Sequence, residues 1–553
     1  MKIAKLLKSL FLFMNRSFSE GLLNKKDKIE QKFYSKIKNS FTVNGKLIYA
    51  GSLLKLAYEK FSNKTALICE DKSINYQELY FRSIFLSQKL RQIGVNPKDK
   101  IILYFENSIE FYIAYFAIWQ VGGVVVPVNI FLHKMELANI INDCKPKVAI
   151  VSNSLKENWE VLKKEKLVNN FPEILSNEDF DWNEHTLKEI EKTCLEFKID
   201  KLEIDKLCLL LYTSGTTGKS KGVMLSSDNI MTNLIQCYAR LKMFGHKDGE
   251  RFFSVLPLFH VFAQNSCLWL PIMTGSCAIV VKKIDRKLIL NGLQKKPSIF
   301  FGFPALYGML CLLKTAPLDS VRIFVSGADM LPDKIRSAFA LIYGRKICSG
   351  YGLTEASPVV ALNYHNQNMK TNVVGESLVG IECDIRDKGG KSLPYNCIGS
   401  LWIKGKNIML GYYNEEEQTS HVLKDGWLCT GDLASLDKNN MLAIRGRSKE
   451  LIIHKGFNIY PQEIENVLMS YSLVFKAAVF GKEEEAFGQI PIAFVAVKNK
   501  HVGLEKKLRE HCAGYLAQYK IPRKFVCLDD LPLNNTGKVD KKRIFKDYES
   551  ILY

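Results

Sequence analysis

The chain has 553 residues, 47% of them apolar and 24% charged, a balance that allows about three or four packed units and excludes wholesale disorder, fibrous repeats and a small binding module. Seventy-seven lysines and arginines stand against fifty-seven acids, a formal charge of +20, which favours anionic partners: phosphates, nucleic acid or an acidic membrane surface. The fourteen cysteines form no C-x-x-C, the closest pair being Cys267 and Cys277, so neither a zinc site nor a disulfide framework is indicated and a reducing cytosol fits.

Residues 1–50 hold eleven basic residues and three acids. Lys2, Lys5 and Lys8 recur at helical spacing beside Leu6, Leu7, Leu10, Phe11 and Phe13, a pattern that can lay a basic amphipathic helix on an anionic bilayer. A solvated tail and a cleaved presequence are the competing readings; the apolar core Leu10 to Met14 is short for a secretory signal. The surface helix is the expectation, and with it a cytoplasmic protein held peripherally at the inner membrane face.

From Gly51 to Val151 helical patterns such as Tyr76 to Ile93 alternate with the apolar runs Ile101 to Tyr104, Gly123 to Val128 and Val148 to Val151. This alternation predicts an α/β domain with largely parallel strands. Phe111 to Leu132 and Val255 to Val281 carry no formal charge and are long enough to span a membrane. Gln120, Gly122, Gly123 and Pro127 interrupt the first, and His260, Gln264, Asn265, Pro271 and Gly275 the second. Each therefore reads as a buried helix followed by a buried strand. Lys156 to Lys206 is charged and irregular, and is expected to be a surface connection.

The strand-like run Leu207 to Tyr212 empties into Thr213-Ser214-Gly215-Thr216-Thr217-Gly218-Lys219-Ser220-Lys221-Gly222. Glycines let backbone N–H groups approach oxyanions, hydroxyls donate further hydrogen bonds, and ammonium groups balance charge, so a polyphosphate is the natural ligand. A P-loop is disfavoured. It needs a glycine where Thr213 stands, and it runs straight into a helix, whereas here Gly222-Val223-Met224-Leu225 precedes a helix capped by Ser226 or Ser227.

At this point the sequence resembles the acyl-adenylate-forming superfamily, closest to long-chain fatty-acid:CoA ligases. Tyr212 to Gly222 nearly reproduces the family's phosphate loop, with Ser220 in place of the usual proline and Ser227 in place of the usual histidine. Six further blocks follow in the family's order: Pro257-Leu258-Phe259-His260, Ser326-Gly327-Ala328-Asp329, Tyr351-Gly352-Leu353-Thr354-Glu355, Asp425 to Asp432, Gly446-Arg447-Ser448-Lys449-Glu450, and Asn535-Thr536-Gly537-Lys538. The resemblance implies an α/β fold with a large N-terminal adenylate-forming domain of stacked α/β subdomains, residues 51–448, and a small mobile C-terminal α+β domain, residues 449–553, following the basic segment 1–50.

The implied chemistry brings a carboxylate, an anion, against the α-phosphate of ATP, so electrostatic preorganisation should dominate catalysis. By resemblance, Thr213, Ser214, Gly215, Thr216, Thr217, Gly218 and Lys221 hold the β and γ phosphates. Thr354 meets the α-phosphate and Glu355 the Mg²⁺. Asp432 and Arg447 bind the ribose hydroxyls, while Gly327, Ala328 and Tyr351, in blocks that also hold Asp329 and Gly352, line the adenine. Lys538 is the catalytic lysine and His260 orients the carboxylate. Lys449 marks a hinge about which the C-terminal domain turns to place Gly456 and its neighbours beside a channel for the thiol of coenzyme A. Ile453 stands where some relatives carry a lysine. Alone, Glu355 would read as a surface carboxylate, Asp432 as a turn former, Lys538 as a solvated lysine and His260 as a satisfied core residue.

The expected substrate is a fatty acid, with Phe300, Phe301, Phe303, Val359 and Val360 suited to a hydrocarbon tunnel. Two other classes stand beside it. One is an acyl-acyl-carrier-protein ligase, whose acidic partner the positive field would attract; the other is a non-catalytic nucleotide-binding or nucleic-acid-binding protein. No motif of interleaved aromatic and basic residues supports RNA or DNA recognition, and no nucleic-acid partner is expected.

Overall fold

The computed structural model describes residues 26–177, 207–214, 220–363, 372–454, 457–484, 488–498, 503–534 and 538–552. The expected surface helix near Lys2 to Lys8 lies outside them. The segment from residue 26 onward is no loose tail. Residues 26–40 are helical, and Ile37, Phe41, Leu47 and Tyr49 are buried in the main core. Glu30 meets Arg240 at 2.7 Å with both side chains almost completely buried. The described part of the expected 1–50 segment thus belongs to the body of the protein, because its apolar residues enter the main core and Glu30 pairs with Arg240 of the helix Ser227–Met243.

Two large sheets build the body. The first has seven strands in the order Gly411–Tyr412, Ser220–Ser226, Leu207–Ser214, Val124–Pro127, Lys100–Tyr104, Val148–Val151 and Glu173–Ser176. Its last five strands are parallel, Ser220–Ser226 runs antiparallel to Leu207–Ser214, and Gly411–Tyr412 runs antiparallel to Ser220–Ser226. Val124 to Pro127 and Val148 to Val151 are buried along their whole length, which is why they read as unbroken apolar runs rather than alternating ones. The second sheet has fourteen strands. Its centre is the parallel set Ile347–Gly352, Ile323–Ser326, Ile299–Gly302, Arg251–Ser254, Cys277–Val280 and Thr65–Cys69, and an antiparallel flank carries Val359–Leu362, Val373–Ser377, Met441–Arg447 and Trp427–Leu436.

Both uncharged stretches fold as expected. The helix Ile109–Gln120 is buried at every position but Glu110, is capped by the Ser108 side chain, and leads to Val124–Pro127. The second stretch is helical from Val261 to Met273, with a π-helical portion at Gln264–Trp269, and leads to Cys277–Val280. Among the described residues no helix is long and apolar enough to cross a membrane. The described part of Lys156 to Lys206, residues 156–177, departs from expectation. Lys156–Lys164 is a helix that buries Trp159 and Leu162, and Glu173–Ser176 is an edge strand. The charges sit on the exposed face and hid a short apolar stripe.

A five-stranded sheet, Phe457–Ile459, Ile452–His454, Gly488–Val497, Val474–Glu484 and Lys524–Leu528, forms a separate C-terminal domain with its own apolar clusters around Val479 and Phe494. It touches the body where Asn466 Nδ2 donates to Asn372 Oδ1 at 3.3 Å and Lys334 Nζ to the Ser472 carbonyl at 3.4 Å.

Candidate active site

The site lies at the carboxyl ends of the parallel strands, where open α/β sheets leave a crevice. On one side is a hairpin. Leu207–Ser214 pairs antiparallel with Ser220–Ser226, placing Thr213 opposite Lys221 and Ser214 opposite Ser220. Gly215, Thr216, Thr217 and Gly218, at its tip, lie outside the described residues. A second strand, Ser220–Ser226, therefore stands between Leu207–Ser214 and the next helix, as expected for a segment that is not a P-loop. Ser226 caps that helix through a reciprocal pair with Asn229, and the Ser227 hydroxyl accepts from the Ala50 backbone at 2.7 Å.

On the opposite side, Ile323–Ser326 ends in Gly327, Ala328 and Asp329. Ala328 adopts φ +66°, a left-handed conformation uncommon for a side chain with a Cβ and costing of order 1 kcal/mol or more. A Cβ at Gly327 would stand 2.9 Å from Cζ of Phe262, so the Phe262 ring packs directly on its backbone. Asp329 is exposed and accepts from the Met330 backbone, a turn-forming bond. Ile347–Gly352 supplies Tyr351 and Gly352. A Cβ on Gly352 would lie 2.2 Å from the Pro358 carbonyl oxygen, so only glycine lets the following turn fold back. That turn, Thr354–Ala356, presents Thr354 and Glu355 half-buried.

Asp432 and Arg447 face each other across adjacent antiparallel strands. Arg447 Nε lies 3.0 Å from Asp432 Oδ1, and the Tyr351 hydroxyl donates to Oδ2 of the same carboxylate. Burial raises the Asp432 carboxyl above its ordinary value, although Arg447, Tyr351 and the Lys538 charge oppose the rise. Glu355 Oε1 accepts from the Tyr412 hydroxyl at 3.0 Å. His260 leads into the helical stretch, and its Nε2 is buried with no hydrogen-bond partner among the described residues. Burial, and after it the positive charge of Lys538, lowers the imidazole from 6.5 to about 4, so the ring is neutral at pH 7.

Lys538 belongs to the C-terminal domain. Its backbone is held by Asn534, whose side chain accepts from the Lys538 N–H at 3.0 Å and whose N–H donates to the Lys538 carbonyl at 2.7 Å. Its positive charge contributes to the shifts of both His260 and Asp432, so it lies on the side of the domain that faces these two residues. Lys449 is exposed in the short turn Ser448–Glu450 between the two domains, and Gly456 lies outside the described residues. Two residues of consequence were not singled out from the sequence. Lys541 bridges Glu450 at 2.5 Å and Glu465 at 2.9 Å, tying the base of the Lys538 turn to the residue after Lys449; its place three positions beyond Lys538 was the available signal. Tyr412 gave none, because its importance comes from strand pairing across the cleft.

Of the expected tunnel residues, Phe300 and Phe301 point to opposite faces of their strand, as the period of two requires. Phe300 is fully buried against Phe253 and Tyr307, a core position rather than a lining one. Phe301 stands edge-on to Phe262, two residues from His260.

This fold, a large nucleotide-cleft body closed by a small C-terminal domain, is that of the adenylate-forming enzymes. The chain belongs to the AMP-binding enzyme family: the family's sequence model matches residues 54–413, and that of the AMP-binding enzyme C-terminal domain matches residues 463–538. It is 29% identical over 531 residues to a long-chain-fatty-acid–CoA ligase of Bacillus subtilis, covering 90% of this chain and 94% of that one. Its fold superimposes on ATP-bound MatB from Rhodopseudomonas palustris with a TM-score of 0.80 at 27% identity, covering 92% of this chain and all of that one. It also superimposes on O-succinylbenzoate coenzyme A synthetase (MenE) from Bacillus subtilis in complex with ATP and magnesium ion, with a TM-score of 0.76 at 26% identity, covering 89% and 98% of the two chains.

Proposed function

We propose that this protein is an AMP-forming acid–thiol ligase that activates a fatty acid with ATP and transfers the acyl group to coenzyme A. The observation that carries the reading is the convergence at one cleft of Lys538, from the C-terminal domain, with His260 and Asp432, from the body. A cation there offsets the repulsion between an incoming carboxylate and a triphosphate, and acts where negative charge builds during displacement of pyrophosphate. The neutral His260, with Nε2 unengaged, can orient the carboxylate without adding a second full charge.

In this reading Thr213 to Gly218 and Lys221 hold the β and γ phosphates, Thr354 the α-phosphate, and Asp432 with Arg447 the ribose hydroxyls. A carboxylate offers about four lone-pair sites, so Asp432 can accept from ribose while keeping Arg447 and Tyr351. Gly327, Ala328, Tyr351 and Gly352 frame the adenine. The donor set also suits Mg²⁺. Among the described residues no group of three or more metal-ligating side chains occurs, and Mg²⁺ is commonly held by one or two carboxylates together with substrate phosphates, a role open to Glu355. When bound, the ion neutralises phosphate charge. For the second half-reaction the C-terminal domain turns about Lys449, withdrawing Lys538 and bringing Gly456 toward the thiol.

The names of the relatives support a carboxylate and coenzyme A as substrates, and the B. subtilis ligase supports a long acyl chain. ATP–pyrophosphate exchange across fatty acids of increasing length, with o-succinylbenzoate for comparison, tests the acyl assignment, and thioester assays with coenzyme A and with holo-acyl-carrier protein test the acceptor. Exchange rising with chain length and thioester on coenzyme A are expected. Exchange with the aromatic acid alone, or thioester only on the carrier, overturns the corresponding part.

A further inference from the structure

Tyr412 lies outside the motif blocks read in the sequence, yet it contacts both Glu355 and Lys221. It belongs to the short strand Gly411–Tyr412, which pairs with Val223 and Met224 in the second strand of the phosphate hairpin. The surrounding backbone is bonded in both directions. Met409 N–H donates to the Glu355 carbonyl at 2.9 Å, while Tyr413 N–H donates to the Gly222 carbonyl at 2.7 Å. The side chain repeats this bridge. Its hydroxyl donates to Glu355 Oε1 at 3.0 Å, and its ring lies 5.1 Å from Lys221 Nζ, within cation–π range. The strand itself is fixed from behind, where the Tyr412 N–H donates to Thr419 Oγ1 at 2.9 Å.

We propose that Tyr412 is a positioning residue that fixes the Glu355 carboxylate for the nucleotide's divalent cation and couples it to Lys221. The inference rests on the proposed assignment of Glu355 to Mg²⁺. A carboxylate on a turn can rotate, and a small ion that demands near-octahedral geometry tolerates little misplacement. Partners that hydrogen-bond a ligating carboxylate commonly govern metal affinity by tenfold or more. Among the described residues the hydrogen bonds engage Oε1 and leave Oε2 open to the cation. Without the hydroxyl a rival would gain, because the Glu355 charge also stabilises the Arg447 guanidinium. Lys221 is steadied by the same ring, so both ends of one phosphate cluster are referred to a single rigid side chain.

The test is calorimetric binding of ATP to the full chain with Mg²⁺ and, separately, in EDTA. Each protein is scored by the ratio of the two affinities, which does not depend on the fraction that is folded. Tyr412→Phe keeps the ring and loses the hydroxyl; its ratio should fall about tenfold while binding in EDTA stays as in the wild type. Tyr412→Leu removes the ring as well, and should also weaken binding in EDTA through Lys221. Mn²⁺ paramagnetic resonance of the ternary complex should show a broadened, less ordered metal site in Tyr412→Phe. An unchanged ratio for Tyr412→Phe overturns the inference. Glu355→Gln separates it from the assignment beneath it: an unchanged ratio there removes Glu355 from the metal, whereas a fall in Glu355→Gln with none in Tyr412→Phe removes only Tyr412.

Discussion

Replacing Lys538 by alanine should make the His260 imidazole easier to protonate, by an amount the structure bounds. The ring is displaced from 6.5 to about 4 by two causes, burial first and the Lys538 charge second. That displacement disfavours the imidazolium by roughly 3 kcal/mol. Because the lysine is the smaller of the two causes, its removal should return the midpoint by less than half of the distance, at most about a twentyfold change in proton affinity. Titration of His260 by NMR of histidine ring carbons, assigned with His260→Gln, reads it directly in the unliganded protein. Salt should barely reproduce the shift, since the group is buried and screening acts mainly on exposed charges. A midpoint unchanged in Lys538→Ala would mean that the lysine does not stand over the cleft, and a full return to 6.5 would mean that burial is not the dominant cause.

The depressed imidazole also fixes a sign. Between pH 4 and 6.5 the unfolded chain binds the proton that folded His260 refuses, so stability rises with pH across that window, and His260→Gln should flatten this part of the curve in denaturant melts. His246, lowered to about 4 mainly by burial, contributes in the same direction, so some slope should remain in the variant. Glu30→Ala removes one buried partner of Arg240, whose other partners include the Leu362 and Ser377 carbonyls. A loss of about 3 kcal/mol is expected on denaturation, and less than about 1 kcal/mol would show that the helix at residues 26–40 is not anchored there. Gly352→Ala must move the backbone away from the Pro358 oxygen, 2.2 Å from the new Cβ; we expect about 1–3 kcal/mol of destabilisation and weakened nucleotide binding, with wild-type melting speaking against the close approach.

What the sequence made legible was local. Tyr76 to Ile93 reads as a helix and is one from Tyr76 to Gln92; Val148 to Val151 reads as a strand and is one; the Ser226 cap lies at the helix start. Each is set by periodicity or by a capping side chain within a few residues. The motif residues Tyr351, Asp432 and Arg447 meet, although eighty-one positions separate the first two, and only the family resemblance connected them beforehand. Features that depend on distant partners stayed hidden. Tyr412 matters because its strand pairs across the cleft with Val223, and residues 26–40 matter because Glu30 finds Arg240, two groups that look like ordinary surface charges in the sequence. Phe300 and Phe301 were indistinguishable by composition, and the pleat alone separates a core ring from one near His260.

The central claim is that a lysine from the far end of the chain, seated on the cleft, serves adenylation and then leaves. Its most direct test is Lys538→Ala assayed on the two half-reactions with one preparation. Acyl-AMP formation from ATP and fatty acid should be nearly abolished, while acyl-AMP supplied ready-made should still be converted to the coenzyme A thioester at close to the wild-type rate; equal loss of both steps, or intact adenylation, would contradict the account.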